Sequence, residues 1–156
     1  MPKAPITLTT DFGNRDPFVG TMKGVILGIH PDATIVDLTH EVASFDVEAG
    51  SFAVEQAYSY FPKGTVHVAV VDPGVGSSRR PIVVSCAGQY FVGPDNGLFS
   101  FLLGEPGGKV RELSNPKWRL SNVSTTFHGR DIFAPAAAHL ARGAKFTLAG
   151  KPVTDP

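Results

Sequence analysis

The chain has 156 residues, which suits one domain of common size, and with 42% hydrophobic and 18% charged residues it has the apolar content for a substantial core and little tendency to disorder. Its 14 Lys and Arg balance 14 Asp and Glu with no basic run, which argues against a nucleic-acid partner, since meeting phosphates takes a cationic footprint. No apolar run reaches the length of a membrane span, and the one cysteine, Cys86, cannot form an internal disulfide, so nothing points to an oxidising compartment.

Met1 to Pro5 runs straight into a strand without the pattern of a signal peptide, so a cytoplasmic location is expected. Ile6 to Thr10 is that first strand, rich in apolar and β-branched residues. Asp11 to Asp16 forms a loop. Asp16 before Pro17 reads as an N-cap followed by proline at the first helical position. Phe18, Met22, Val25, Ile26 and Ile29 then recur at helical spacing, and His30-Pro31-Asp32 closes the helix. A second strand follows over 33–38, giving a strand–helix–strand unit with parallel strands.

Thr39 to Phe45 is a loop. Asp46 is expected to cap a second helix carried through Phe52, Val54, Ala57 and Tyr60. Val66 to Val71 is a nearly continuous apolar run ended by Asp72-Pro73-Gly74, the signature of a strand buried on both faces with turn chemistry at its carboxyl end. Pro81 to Ala87 is a fourth strand, with Cys86 as a small buried hydrophobe, and Tyr90-Phe91-Val92 is its hairpin partner. A short helix is expected over 98–103, and Val110 to Leu113 suits a further short strand. Residues 115–124 show no clear period, and the Asn122-Val123-Ser124 sequon is accidental in a cytoplasmic protein. Ile132 to Ala141 is an Ala-rich helix that tolerates Pro135 only in its first turn, and His139 on it has a structural role. The predicted fold class is α/β, a three-layer sandwich with a mostly parallel central sheet over residues 1–150, with 151–156 as the start of a linker.

Four polar clusters fall in loops, at 11–16, 39–45, 72–80 and 127–131. In a parallel sheet the loops after the strands share one edge, so the first three should converge there. The fourth precedes a helix, where backbone amides can face developing negative charge. Asp72 and Arg79 at the mouth of the buried strand read either as a reaction centre or as an ion pair pinning a loop.

Five segments resemble one family when taken in register along nearly the whole chain. They are Thr10-Asp11-Phe12-Gly13 with Asp16, Asp46-Val47-Glu48-Ala49-Gly50, Val71-Asp72-Pro73-Gly74-Val75-Gly76, Gly93-Pro94-Asp95-Asn96-Gly97 and Thr126-Phe127-His128-Gly129-Arg130-Asp131. Each is weak alone. Together they resemble the S-adenosylmethionine hydroxide adenosyltransferases, relatives of the fluorinase and chlorinase.

The resemblance implies hydrolysis of S-adenosylmethionine, by attack of activated water on C5′, to adenosine and L-methionine, with no cofactor and no metal. It implies a water-activating set of Asp72, Arg79 and His128. It places Asp11 on the ribose hydroxyls, Asp16 near the methionine ammonium, and Phe45 as an aromatic wall against the ribose. It assigns Phe127 to the substrate-binding set, with Val75 and Gly129 lining the nucleophile pocket. Arg80 is the rival of Arg79, Asp16 could serve only as a cap, Phe45 could be ordinary core, and Asn96 is expected to serve its turn.

The resemblance further implies a smaller β-barrel domain beyond this chain, which would supply adenine contacts, and a site formed between subunits of a homotrimer. Weak activity is therefore expected of the chain alone, because lost binding contacts reduce positioning as well as affinity. Three rivals remain. A halogenase of the same family carries Tyr where this chain has Asp72 and lacks the histidine at 128, and a carboxylate beside a halide pocket would repel the anion. A metal-dependent nucleoside hydrolase would need several oxygen ligands on a divalent cation, and the paired Asp of such a site is missing. A non-catalytic adenosine- or S-adenosylmethionine-binding module would bind without turnover.

Overall fold

A computed structural model describes residues 4–156. Met1 to Lys3 lie outside the described residues, and with them most of the segment expected to run straight into the first strand. The first strand, β1 (Ile6–Thr10), is wholly buried. Helix α1 (Phe18–Ile29) leads to β2 (Ile35–Thr39), and α2 (Val47–Ala57) leads to β3 (Val66–Val70). The hairpin β4 (Pro81–Cys86) and β5 (Gln89–Pro94) follows, then β6 (Lys109–Glu112) and helix α3 (Ala134–Arg142).

The six strands form one sheet in the order β2-β1-β3-β5-β4-β6. Pairings from β2 through β1 and β3 to β5 are parallel, and β4 is antiparallel to both β5 and β6. The chain thus moves from β1 outward to β2, then back across β1 to β3. Right-handed crossovers in opposite directions place their helices on opposite faces. Accordingly, α1 and α3 share one core with Leu8, Val68 and Phe133, while α2 shares the other with Ala69, Val71 and Phe91. This is the expected three-layer arrangement. It also makes the gap between the carboxyl ends of β1 and β3 the switch point of the sheet, where α/β folds bind ligands.

Both faces of β3 are covered, which is why its sequence is a continuous apolar run rather than an alternating one. One polar residue interrupts it. His67 is fully buried, 2.7 Å through Nδ1 from the Thr7 hydroxyl, stacked on Phe91 and hydrogen-bonded through Nε2 to Gln89.

Several elements differ from expectation. Helix α1 begins at Phe18, with Pro17 at the cap and no side-chain cap bond, so Asp16 does not cap it. The Pro17 carbonyl instead receives the Thr21 amide at 2.9 Å and the Thr21 hydroxyl at 2.7 Å. Its buried stripe is Val19, Met22 and Ile26, while Phe18 is exposed. Asp46 does cap α2, accepting from the Ala49 amide at 3.0 Å. That helix ends at Ala57 and tightens into a 3-10 turn over Tyr58–Tyr60, leaving the Tyr60 ring in solvent. The expected helix at 98–103 is a single 3-10 turn, Ser100–Leu102. Residues 151–156 lie along β6, with Arg111 bridged to Pro152 and the Val153 amide 2.9 Å from the Val110 carbonyl, a placement compatible with the start of a linker.

The Ala-rich helix is entered through a π turn, Gly129–Phe133. Pro135 has no N–H to give to the Asp131 carbonyl one turn back. That carbonyl accepts the Leu120 amide instead, at 2.9 Å, so the proline is accommodated without an orphaned acceptor. Ala134, Ala136, Ala137 and Ala138 are completely buried. Their small size brings the helix close to the sheet and sets His128, just ahead of the turn, over the end of β3.

Candidate active site

The loops after β1, β2 and β3 and the entry to the π turn meet at the switch point. They enclose a cavity of about 310 Å³ lined by Asp11, Phe12, Ser44, Phe45, Val70, Asp72, Val75, Thr126, Phe127, His128 and Gly129. That volume sits at the lower end for small-molecule pockets, about 300 Å³. A larger cavity, about 660 Å³, lies at the β6 edge against Leu102, Val110 and Val153. The smaller one gathers a buried carboxylate, an imidazole and aromatic rings around the carboxyl ends of parallel strands, so the chemistry points there.

Asp72 lies two residues past the end of β3 and is 7% exposed. Its position is fixed from the backbone, because the Asn96 side-chain amide donates to the Val71 carbonyl at 2.9 Å and the Asp72 carbonyl receives the Val75 amide at 3.2 Å. The guanidinium of Arg79 meets the carboxylate with two bonds, Nε to Oδ1 at 2.9 Å and Nη2 to Oδ2. The same Nη2 lies 2.8 Å from His128 Nδ1, and the Arg79 head rests 5.5 Å over the Phe133 ring. Arg79 therefore bridges a carboxylate and an imidazole brought from positions 56 residues apart in sequence. Arg80 turns away and pairs with Asp95 and Asp155, so Arg79 is the arginine that meets Asp72.

The bridging bonds fix the state of His128. A guanidinium only donates, so Nδ1 must be the bare nitrogen. Nε2 lies 2.9 Å from the Ser124 carbonyl, which only accepts, so Nε2 carries the hydrogen. Burial, and after it the positive charge of Arg79, holds the His128 pKa below the ordinary histidine value. The ring is neutral at pH 7, with its basic lone pair facing the Asp72–Arg79 pair.

Asp11 forms the other wall. Its Oδ2 accepts the Phe45 amide at 2.8 Å, which joins the loops after β1 and β2. Phe45 has φ +63, a left-handed conformation that costs a non-glycine residue roughly 1–3 kcal/mol. Its ring is 64% exposed, so the reading of Phe45 as core fails, and the strained backbone holds an aromatic face at the cavity mouth. Gly129 lies beneath the cavity, where a Cβ would come within 3.2 Å of Met22 Sδ and 3.4 Å of Phe127. Phe127 stacks edge-on with Phe12 and Phe18, at 5.9 and 5.4 Å between ring centroids.

The structure thus brings Asp11, Phe45, Asp72, Val75, Phe127, His128 and Gly129 to one cavity, with Arg79 directly behind Asp72 and His128. Asp16 is exposed and does not line it. Reading the sequence missed Phe12, Ser44, Val70 and Thr126 as lining residues, although all four lie within segments it singled out. It also missed that Asn96, beyond serving its turn, anchors the backbone before Asp72. Among the described residues, no group of three or more His, Cys, Asp or Glu side chains is placed to hold a metal ion. His139 stacks on Trp118 at 6.1 Å, away from the cavity.

Comparison with known proteins shows the family. Residues 6–150 match the SAM hydroxide adenosyltransferase N-terminal domain. The chain is 46% identical over 153 residues to an (R)-S-adenosyl-L-methionine hydrolase of Salinispora arenicola, covering 97% of this chain and 58% of that protein. It is 42% identical over 151 residues to a protein of the same name from Thermus thermophilus, covering 89% and 57%. A fluorinase of an Actinoplanes species is more distant, 29% identical over 174 residues and covering 96% and 58%. The crystal structure of an uncharacterized conserved protein from Thermotoga maritima superposes with a TM-score of 0.93 at 44% identity, covering 96% of this chain and 59% of that one. The chain thus spans somewhat over half the length of the relatives it matches. With its fold, its cavity and its motifs in agreement, the chain belongs to the SAM hydroxide adenosyltransferase family.

Proposed function

We propose that this chain carries the water-activating half of an S-adenosyl-L-methionine hydrolase, acting on the (R) sulfonium named for its relatives and releasing adenosine and L-methionine. The observation that carries the reading is the Asp72–Arg79–His128 contact at the cavity, in which two bases share one guanidinium. Water is a poor nucleophile at neutral pH. Asp72 and the bare Nδ1 of His128 are the groups able to take its proton, and Arg79, charged throughout, stabilises the hydroxide as it forms. The oxygen bonds to C5′ as the C5′–S bond breaks, and its electron pair returns to sulfur, leaving a neutral thioether. The sulfonium leaves readily, so no acid is required on that side. Alignment of water, C5′ and sulfur supplies much of the rate, in favourable cases roughly 7–11 kcal/mol.

Asp11 suits the ribose hydroxyls, because a carboxylate accepts from both. Phe45 suits the sugar face, and the methionine end would extend toward Asp16. The exposed Phe45 and Phe18 rings favour a completed site in which further surface covers the cavity, as a second domain and a homotrimer in the cytoplasm would provide. A halogenase reading is disfavoured by the Asp72 carboxylate, whose charge opposes entry of a halide.

Incubation with each epimer of S-adenosylmethionine in isotopically labelled water tests this reading. Adenosine labelled at its 5′ oxygen, formed from the (R) epimer and lost in Asp72→Ala, is the expected outcome. Binding without labelled adenosine, even when a relative's second domain is fused to the chain, would overturn it in favour of a binding module.

A further inference from the structure

His128 is oriented from behind by a chain of contacts that ends on a buried carboxylate outside the cavity. The Nε2 hydrogen of His128 is held by the Ser124 carbonyl at 2.9 Å. Ser124 is in turn fixed at its two other polar groups. Its hydroxyl oxygen accepts the Phe127 amide at 2.9 Å, and its own amide donates to Asp131 Oδ2 at 2.8 Å. Asp131 is fully buried, and its Oδ1 receives Arg130 Nε at 2.7 Å. The backbone of Asp131 is secured on both sides as well, its amide to the Phe127 carbonyl at 3.1 Å and its carbonyl to the Leu120 amide at 2.9 Å. Burial alone would raise the Asp131 pKa, but the bonds from Arg130 and Ser124 outweigh it and keep the group ionised.

Each link has a forced polarity. An ionised carboxylate only accepts, so it holds the Ser124 N–H and fixes the residue from its amino side. The Ser124 carbonyl, in the next peptide unit, faces the imidazole, and a carbonyl can hold only a ring nitrogen that bears hydrogen. Arg79 imposes the same tautomer from the front, but it is part of the reacting set, and its contact with Nδ1 must loosen when water takes that place. The rear contact is the one able to persist through the reaction. We propose that Asp131, acting through Ser124, is the positioning residue that keeps His128 in its Nε2–H tautomer with Nδ1 open toward water.

This inference rests on the reading of His128 as a base, but it can be tested without turnover. The intact chain is labelled with nitrogen-15 histidine, and the ring-nitrogen resonances of His128 are assigned by their loss in His128→Gln. At neutral pH the expected pattern is a single neutral Nε2–H ring. In Asp131→Ala that pattern should give way to a mixture of tautomers, while amide spectra of β1, β3 and β5 stay in place. Ser124→Ala keeps the amide but loses the tie to Phe127, and should show a smaller change of the same kind; it decides the matter if Asp131→Ala does not fold. An unchanged His128 pattern in the variant that folds would overturn the proposal, as would an Nδ1–H ring in the unmodified protein. Where hydrolysis is measurable, kcat should fall roughly 10- to 100-fold with KM little changed, the scale seen when a partner orienting a metal-bound imidazole is lost. An altered His128 ring in a chain that binds but never hydrolyses substrate would support the positioning role and reject the hydrolase reading.

Discussion

The two walls of the cavity are built on different principles. The wall of Asp72, Arg79 and His128 is enclosed and cross-linked, with side chains 5% and 10% exposed for Asp72 and Arg79 and every polar contact made within the chain. The opposite wall, Asp11 and Phe45, is held by one backbone-to-carboxylate bond and by backbone bonds of the two loops, and the ring of its strained residue faces solvent. The difference follows the demands of the proposed reaction. A group that deprotonates water must be preorganised before substrate arrives, because reorganising charge during the reaction costs rate. A group that grips a sugar can be completed by the ligand itself and by surfaces that close over it.

Substitutions should separate the walls sharply. Asp72→Asn keeps the shape of the enclosed wall but removes its charge, and kcat for hydrolysis should fall roughly 10²- to 10⁴-fold, the usual contribution of general base catalysis, with substrate affinity nearly preserved. Comparable losses in affinity, read by calorimetry, would mean that the carboxylate binds substrate rather than activating water. Arg79→Met leaves Asp72 buried without its partner and should cost about 3–5 kcal/mol in urea unfolding, whereas a loss below about 1 kcal/mol would show that water reaches the carboxylate freely.

The pH dependence tests the same wall more gently. His128 must be neutral to act, and its pKa lies below the ordinary value, so activity should hold down to about pH 6.5 and decline only below it. The linked effect on stability has the same sign. His67, His128 and His139 all have depressed pKa values, each chiefly through burial, so their neutral forms are favoured by folding. Their contribution is fully present above about pH 6.5 and is lost as the pH falls through the folded-state values, where the unfolded chain binds more protons. Urea midpoints that stay flat between pH 7.5 and 5.5 would contradict this.

Effects on the open wall should be smaller and fall on binding. Phe45→Ala removes the ring but not the strained backbone, and should raise KM by roughly tenfold, the scale of one aromatic contact, with thermal stability unchanged. The smallest effect is expected from Asp16→Ala, which disturbs neither the helix nor the cavity and should move only KM in a thermal-shift and steady-state comparison. A fall in melting temperature would restore the capping role that the structure denies it.

How far the sequence foretold these walls depends on the range of the contacts that make them. The strand with Asp72 at its end was legible because a two-face-buried strand writes its environment into every residue of a short window. The pairing of Asp72 with Arg79 rather than Arg80 agrees with their spacing, and the geometry behind it is a turn that runs through small residues. Helix boundaries were less legible. Asp16 has the chemistry of a cap, but the local bend at Pro17 satisfies the first turn through its carbonyl and leaves the carboxylate idle. The π turn was invisible, because it depends on Leu120 reaching the carbonyl that Pro135 cannot serve. The left-handed backbone of Phe45 carried no local signal either, since Phe is a poor residue for that conformation and its amide is tied to Asp11, far away in the sequence.

Gly76, with φ +78, sits where the loop carrying Asp72 and Arg79 touches the loop carrying His128, and a Cβ there would run into the Thr125 carbonyl oxygen. The spacing between the two halves of the charge cluster is therefore set by an atom that is not there. Any side chain at 76 would part the two loops, and with them the Asp72–Arg79 pair from His128. The mechanically unforgiving position of the site contributes no functional group at all.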